Sequence, residues 1–172
     1  EKISSIYWRN SNLNFKSINS LINSLDVKPD NSWLRRINEC EDEKVLKYIV
    51  KDNSGEINNS ENELRLLWEC CQIPDFVKKT YGHHLEIVKK VFNFLKGPSK
   101  KISNQYMKSQ LLNLDKLEGN VDSISNRIAN VRTWSYVSNK SNWVENRDYW
   151  IERTKYLEDK LSDRLHEELT KS

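Results

Sequence analysis

The chain has 172 residues, of which 37% are hydrophobic and 31% charged, with a formal net charge of +3. That length suits one compact domain or two small subdomains, and no apolar run reaches membrane-spanning length. Six Trp, seven Tyr and four Phe argue against wholesale disorder, and the small charge permits nucleic-acid binding without arguing for it.

"EKISSIYWRNSNLNF" opens the chain without helical period and reads as an extended lead-in. From Phe15, the apolar residues Ile18, Leu21, Ile22 and Leu25 recur at helical spacing until "DVKPD". A short segment carries Trp33, Leu34 and Ile37. Next, "EDEKVLKYIV" predicts a helix with an acidic first turn, favoured by the helix dipole. "KDNSGEINNS" reads as a polar hinge. It divides a lead-in and helical subdomain over 1–52 from a main helical domain over 60–172, with a loop at 53–59.

Ser60 and Glu63 form a capping-box pattern before a helix whose Leu64, Leu67, Trp68 and Cys71 share a face. Pro74 stops it. Further helices are expected from about Thr80 to Gly97, over "SNQYMKSQLLNL", and from Asn120 to about Ser138. In the last one, Trp150, Leu157, Leu161, Leu165 and Leu169 recur at helical steps. The final two should pack as an antiparallel hairpin. The expected class is therefore all-α: an irregular helical domain ending in a long hairpin. Leu169 so close to Ser172, without a stop signal, suggests a fragment ending within or just after a helix.

Three cysteines, two of them adjacent, do not make a disulfide framework, and a reducing cytoplasm fits them best. Cys40, Cys70, Cys71 and the histidines could instead serve a small metal-dependent enzyme. Zinc ligands, however, are usually spaced by two to four residues, and adjacent side chains diverge on a helix. Cys71 lies on the apolar face, where a free cysteine packs as a small hydrophobe. Trp68, Cys71, Phe76, Trp150 and Leu157 are all expected to be structural.

Asp148, Glu152, Asp159 and Asp163 alternate with cations such as Arg147, Arg153, Lys155 and Arg164, the pattern of a solvated helix face rather than of an acid–base pair. No phosphate loop, nucleophile elbow or zinc-protease motif is present, so no catalytic, cofactor or metal residue is assigned. Two stretches interleave cations with aromatics, as binding to phosphates and base faces requires: "KKTYGHH" and "RIANVRTWSYVSNKSNW". They supply the strand-contact candidates Lys78, Lys79, Tyr81, His84, Arg132 and Trp134. A solvated loop and a mixture of core and surface are the competing readings.

Four blocks in order, "YWRNSNLNFKSINSLINSL", "LRLLWECCQIPDF", "IANVRTWSYVSNKSNWVENRDYWIERT" and "LEDKLSDRLHEELT", span nearly the whole chain. Together they resemble the region that follows the helicase core in bacterial, chiefly alphaproteobacterial, superfamily 2 DExH helicases related to the suppressor-of-Var RNA helicases of mitochondria. The resemblance implies a helical accessory part of an ATP-dependent helicase that unwinds RNA or RNA–DNA duplexes. ATP and Mg would be held by two motor domains outside this chain. The implied partners are those motor domains, single-stranded RNA and, for a pure docking module, a protein such as a ribonuclease; no membrane is implied.

Overall fold

The computed structural model describes residues 6–30, 34–37, 39–53 and 60–171. Residues 1–5, Trp33 and residues 54–59 of the loop expected at 53–59 lie outside them, whereas Asn53 ends a helix. The described residues form seven helices and one two-stranded sheet, so the all-α expectation holds. The chain folds as two compact units that divide after Gln72. The helix opened by Ser60 therefore belongs with the first unit, whereas the hinge reading grouped it with the second.

In the first unit, the lead-in contains strand β1 (Ile6–Trp8), paired in parallel with β2 (Leu34–Arg36). Helix α1 (Ile18–Leu25) runs between them in sequence, its first turn capped by the Ser17 side chain. The non-periodic residues before α1 are tied down by polar contacts. Asn10 Nδ2 donates to the Ser24 carbonyl at 2.8 Å, and the Asn14 amide donates to Ser24 Oγ at 3.1 Å. Helix α2 (Glu41–Asn53) buries Val45, Leu46 and Ile49 and packs against α1 and α3 (Glu61–Cys71). Ser60 Oγ accepts from the Glu63 amide, as its spacing predicts. Leu64, Leu67, Trp68, Cys70 and Cys71 are all buried.

Among the described residues of this unit, one charged side chain is buried. Glu43 is 1% exposed, on the first turn of α2. Arg9, just after β1, places Nη1 at 2.7 Å from Asp42 Oδ1 and 3.6 Å from Glu43 Oε1. Its guanidinium also lies 5.4 Å from the centre of the Trp68 ring. Partial burial disfavours the Arg9 charge, but the hydrogen bond and field of Asp42, with Cys40 and Glu43 adding, raise its pKa overall. The planar, forked guanidinium hydrogen-bonds Asp42 while its charge faces Glu43 and the Trp68 ring.

The second unit holds α4 (Tyr81–Lys96), α5 (Asn104–Leu111), α6 (Val121–Asn139) and α7 (Arg147–Thr170). Helix α6 buries Ile124, Ile128, Val131, Trp134 and Val137, and α7 buries Trp150, Thr154, Leu157 and Leu161. Each such apolar side chain contributes about 1.5–3 kcal/mol when removed from water. Thr154 is satisfied internally by donating to the Trp150 carbonyl at 2.7 Å. The hairpin is antiparallel: Arg147 near the turn reaches the Asn139 carbonyl, and Arg132 pairs with Glu158 further along both helices. Gly119, with φ +122°, lets the chain turn into the Asn120 cap of α6, and Arg127 clamps that turn through the Lys116 and Glu118 carbonyls. No described helix is long and apolar enough to cross a membrane.

Candidate nucleic-acid interface

Among the described side chains, the strand-contact candidates do not form one surface, because His84 and Trp134 are buried. Lys78 and Lys79 are exposed in the loop before α4. Lys78 has φ 50° there, and its amide donates to Asp75 Oδ1 at 2.9 Å. Thr80 caps α4 by accepting from the His83 amide. The Tyr81 side chain lies outside the described residues. His84 is only 4% exposed, with Nδ1 3.9 Å from Asp75 Oδ1. Its apolar helix face turns it inward, which removes it as a strand contact.

Trp134 requires the larger correction. It is 1% exposed and packs edge-on against Tyr106 of α5, with ring centroids 5.7 Å apart. Tyr106 in turn meets Phe94 of α4 at 5.1 Å, so three helices share one aromatic cluster. Burial pushes the Tyr106 phenol up to about 12. A ring enclosed in this way cannot stack on a base. Arg132 is exposed, but its Nε donates to Glu158 Oε1 at 2.8 Å. Phe76, expected to be structural, is exposed, whereas Trp68, Cys71, Trp150 and Leu157 are buried as expected.

The cysteines sort in the same way. Cys70 and Cys71 are buried, and desolvation, with Cys70 and Asp42 adding, pushes the Cys71 thiol well up. Such a thiol is a packing group. Cys40, Asp42 and Glu43 do bring possible ligand atoms within 4.8 Å of one another. Arg9 places its positive charge against both carboxylates.

A surface that the sequence reading passed over lies between α5 and α7. The groove has a volume of about 720 Å³, and Lys108 and Leu112 form its α5 side. Tyr149, Trp150 and Arg153 form its α7 side, and Asn104 and Asn146 stand at one end. Trp150 Nε1 donates to Asn104 Oδ1 at 2.9 Å, which fixes the two helices to each other. Just past the groove on α7 stand Tyr156 and Lys160. Arg153 and Lys160 each hold their charge 5.5 Å from the Tyr156 ring centre.

Asp115, in the loop after α5, anchors this edge. Its Oδ1 accepts from Lys160 Nζ at 2.8 Å and its Oδ2 from Arg153 Nη2 at 3.2 Å. The Lys160 hydrogen bond, with the field of both cations, holds the Asp115 carboxyl below its usual range despite some desolvation. A depressed carboxylate contributes stability above its unfolded pKa, and loses it as pH falls through the folded value. Asp115→Asn should therefore cost about 0.5–1 kcal/mol near neutral pH, the scale of partly exposed ion pairs. The difference between the two proteins should vanish on acidification below the folded pKa of Asp115, as read by thermal melts across pH.

No known protein family, curated protein or solved structure matches this chain. The helicase resemblance therefore rests on the four sequence blocks alone.

Proposed function

We propose that this chain is a non-catalytic helical accessory module of an ATP-dependent RNA helicase, one that braces the motor domains and contacts single-stranded RNA. The observation that carries this reading is the ordered set of four blocks. They run from Tyr7 through α1, along α3 to Phe76, and from Ile128 to Thr170 across the α6–α7 hairpin. Support also comes from the character of the polar side chains. The buried carboxylate Glu43 is engaged by Arg9, the buried cysteines are packing groups, and the paired charges of α7 form ion pairs along an exposed face. These arrangements brace a fold and do not converge on a reacting atom.

A second reading, a docking module for a protein such as a ribonuclease, is favoured by the net charge of only +3 and by the burial of Trp134 and His84. The test of the first is the reading frame upstream of Glu1. A phosphate-loop motif followed by a DExH box is the expected finding. A frame without either overturns the helicase reading.

A further inference from the structure

We infer that the α5–α7 groove is a single-stranded RNA site, with Tyr149 and Tyr156 as stacking faces and Lys108, Arg153 and Lys160 as phosphate contacts. This inference rests on the proposed strand-contact role and assigns that role to a surface.

The pattern along α7 is regular. Trp150, Thr154, Leu157 and Leu161 make the buried stripe of the helix. Each of Tyr149, Arg153, Tyr156 and Lys160 precedes one of these by a single residue. The second set therefore forms a parallel stripe about 100° around the helix, at the boundary between core and solvent. Two tyrosines alternate there with two cations, and the tyrosines are two helical turns apart. Tyr149 is 57% exposed and Tyr156 52%, although tyrosines carry a large apolar ring.

Charge favours RNA over an apolar peptide as the occupant. Three cations face one carboxylate, Asp115, whose oxygens are both engaged by two of them. The Glu145 carboxylate near the groove's end accepts from the Asn104 amide at the start of α5. A guanidinium has five donors, so Arg153 can keep Asp115 and still meet a phosphate. The Tyr156 ring already accommodates cations at its face, and a base offers the same face an alternative partner. The Asn104 and Asn146 amides sit where base edges could be met by hydrogen bonds.

The test is fluorescence anisotropy with a labelled single-stranded oligouridine, titrated with the whole chain at low and moderate salt. The wild-type chain is expected to bind, more weakly as salt rises. Tyr149→Ala and Tyr156→Ala should each weaken binding by about tenfold, given ~1–3 kcal/mol per stacked base. Lys108→Glu should weaken it and flatten the salt dependence by about 0.7 in log–log slope, or somewhat more because a charge is reversed. All three positions are exposed, so circular dichroism of each variant should match the wild type. Binding that survives all three substitutions overturns the groove while leaving strand contact to another surface. Failure of the wild-type chain to bind even at low salt overturns both the groove and the strand-contact reading. Equal competition by an acidic polyglutamate peptide also overturns the inference, because the surface would then read charge without stacking.

Discussion

Trp134→Ala is expected to cost the second unit about 3–5 kcal/mol, the usual scale for emptying a buried aromatic site. The reason is its position in the cluster. Trp134 is fully enclosed on α6 and meets Tyr106 of α5 edge-on, and Tyr106 carries the contact on to Phe94 of α4. Removing the indole leaves a cavity at the junction of three helices and strips the Tyr106 ring of a partner. Edge-to-face pairs contribute about 0.5–1.5 kcal/mol beyond the area they bury. Trp134→Phe keeps an aromatic edge and should lose distinctly less. Amide exchange of α4 to α7, with urea unfolding of each variant, reads the effect. A loss below about 1 kcal/mol for the alanine variant would mean that the site is not core.

Arg9→Met should cost about 3 kcal/mol in the first unit, for a different reason. The substitution keeps an unbranched apolar stem but removes a guanidinium that donates to Asp42 Oδ1 at 2.7 Å and lies 3.6 Å from Glu43 Oε1, on a carboxylate that is almost wholly enclosed. Breaking a buried ion pair by removing one member typically costs 3–5 kcal/mol, and the partial exposure of Arg9 sets the expectation at the lower end. A second substitution identifies the cause. The double variant Arg9→Met with Glu43→Leu should recover most of the stability, since a well-packed apolar pair replaces a buried ionic one at little cost. A double variant no better than Arg9→Met alone would show that Arg9 acts through Trp68 or Asp42 instead.

The helices were legible because their signals are local. Ser60, Thr80 and Asn120 stand at caps, and the apolar residues of α3, α4, α6 and α7 recur at three- and four-residue steps. The β1–β2 pair was not legible. Strands of three residues are too short to show alternation, and their parallel pairing links residues far apart in sequence. Nothing nearby in sequence reveals that Arg9 meets Asp42 and Glu43.

The strand-contact residues were misplaced for an instructive reason. Trp134 has Arg132 and Lys140 as sequence neighbours, which suggests a basic aromatic platform. It also follows Val131 by three residues and Ile128 by six, and that apolar stripe governs where the ring points. Periodicity should have outweighed neighbouring charge. Tyr149 and Tyr156 carried the opposite signal: they sit beside the core stripe of α7 rather than on it. Arg153 belongs by sequence to a solvated charged face, and the tyrosines that flank it a turn away share its stripe only when the helix is laid out. The groove itself needs α5, whose packing on α7 through Asn104 and Trp150 is a tertiary fact.

Duplex unwinding by a helicase that carries this chain, as proposed above, measured with and without residues 1–172, is the most direct test. ATP hydrolysis in the absence of RNA is expected to persist when the segment is removed, while unwinding falls. Restoring the segment with Tyr149→Ala and Tyr156→Ala should recover only part of the lost unwinding. Unwinding that is unchanged by removal of the segment, or hydrolysis that disappears with it, would contradict a non-catalytic strand-handling module.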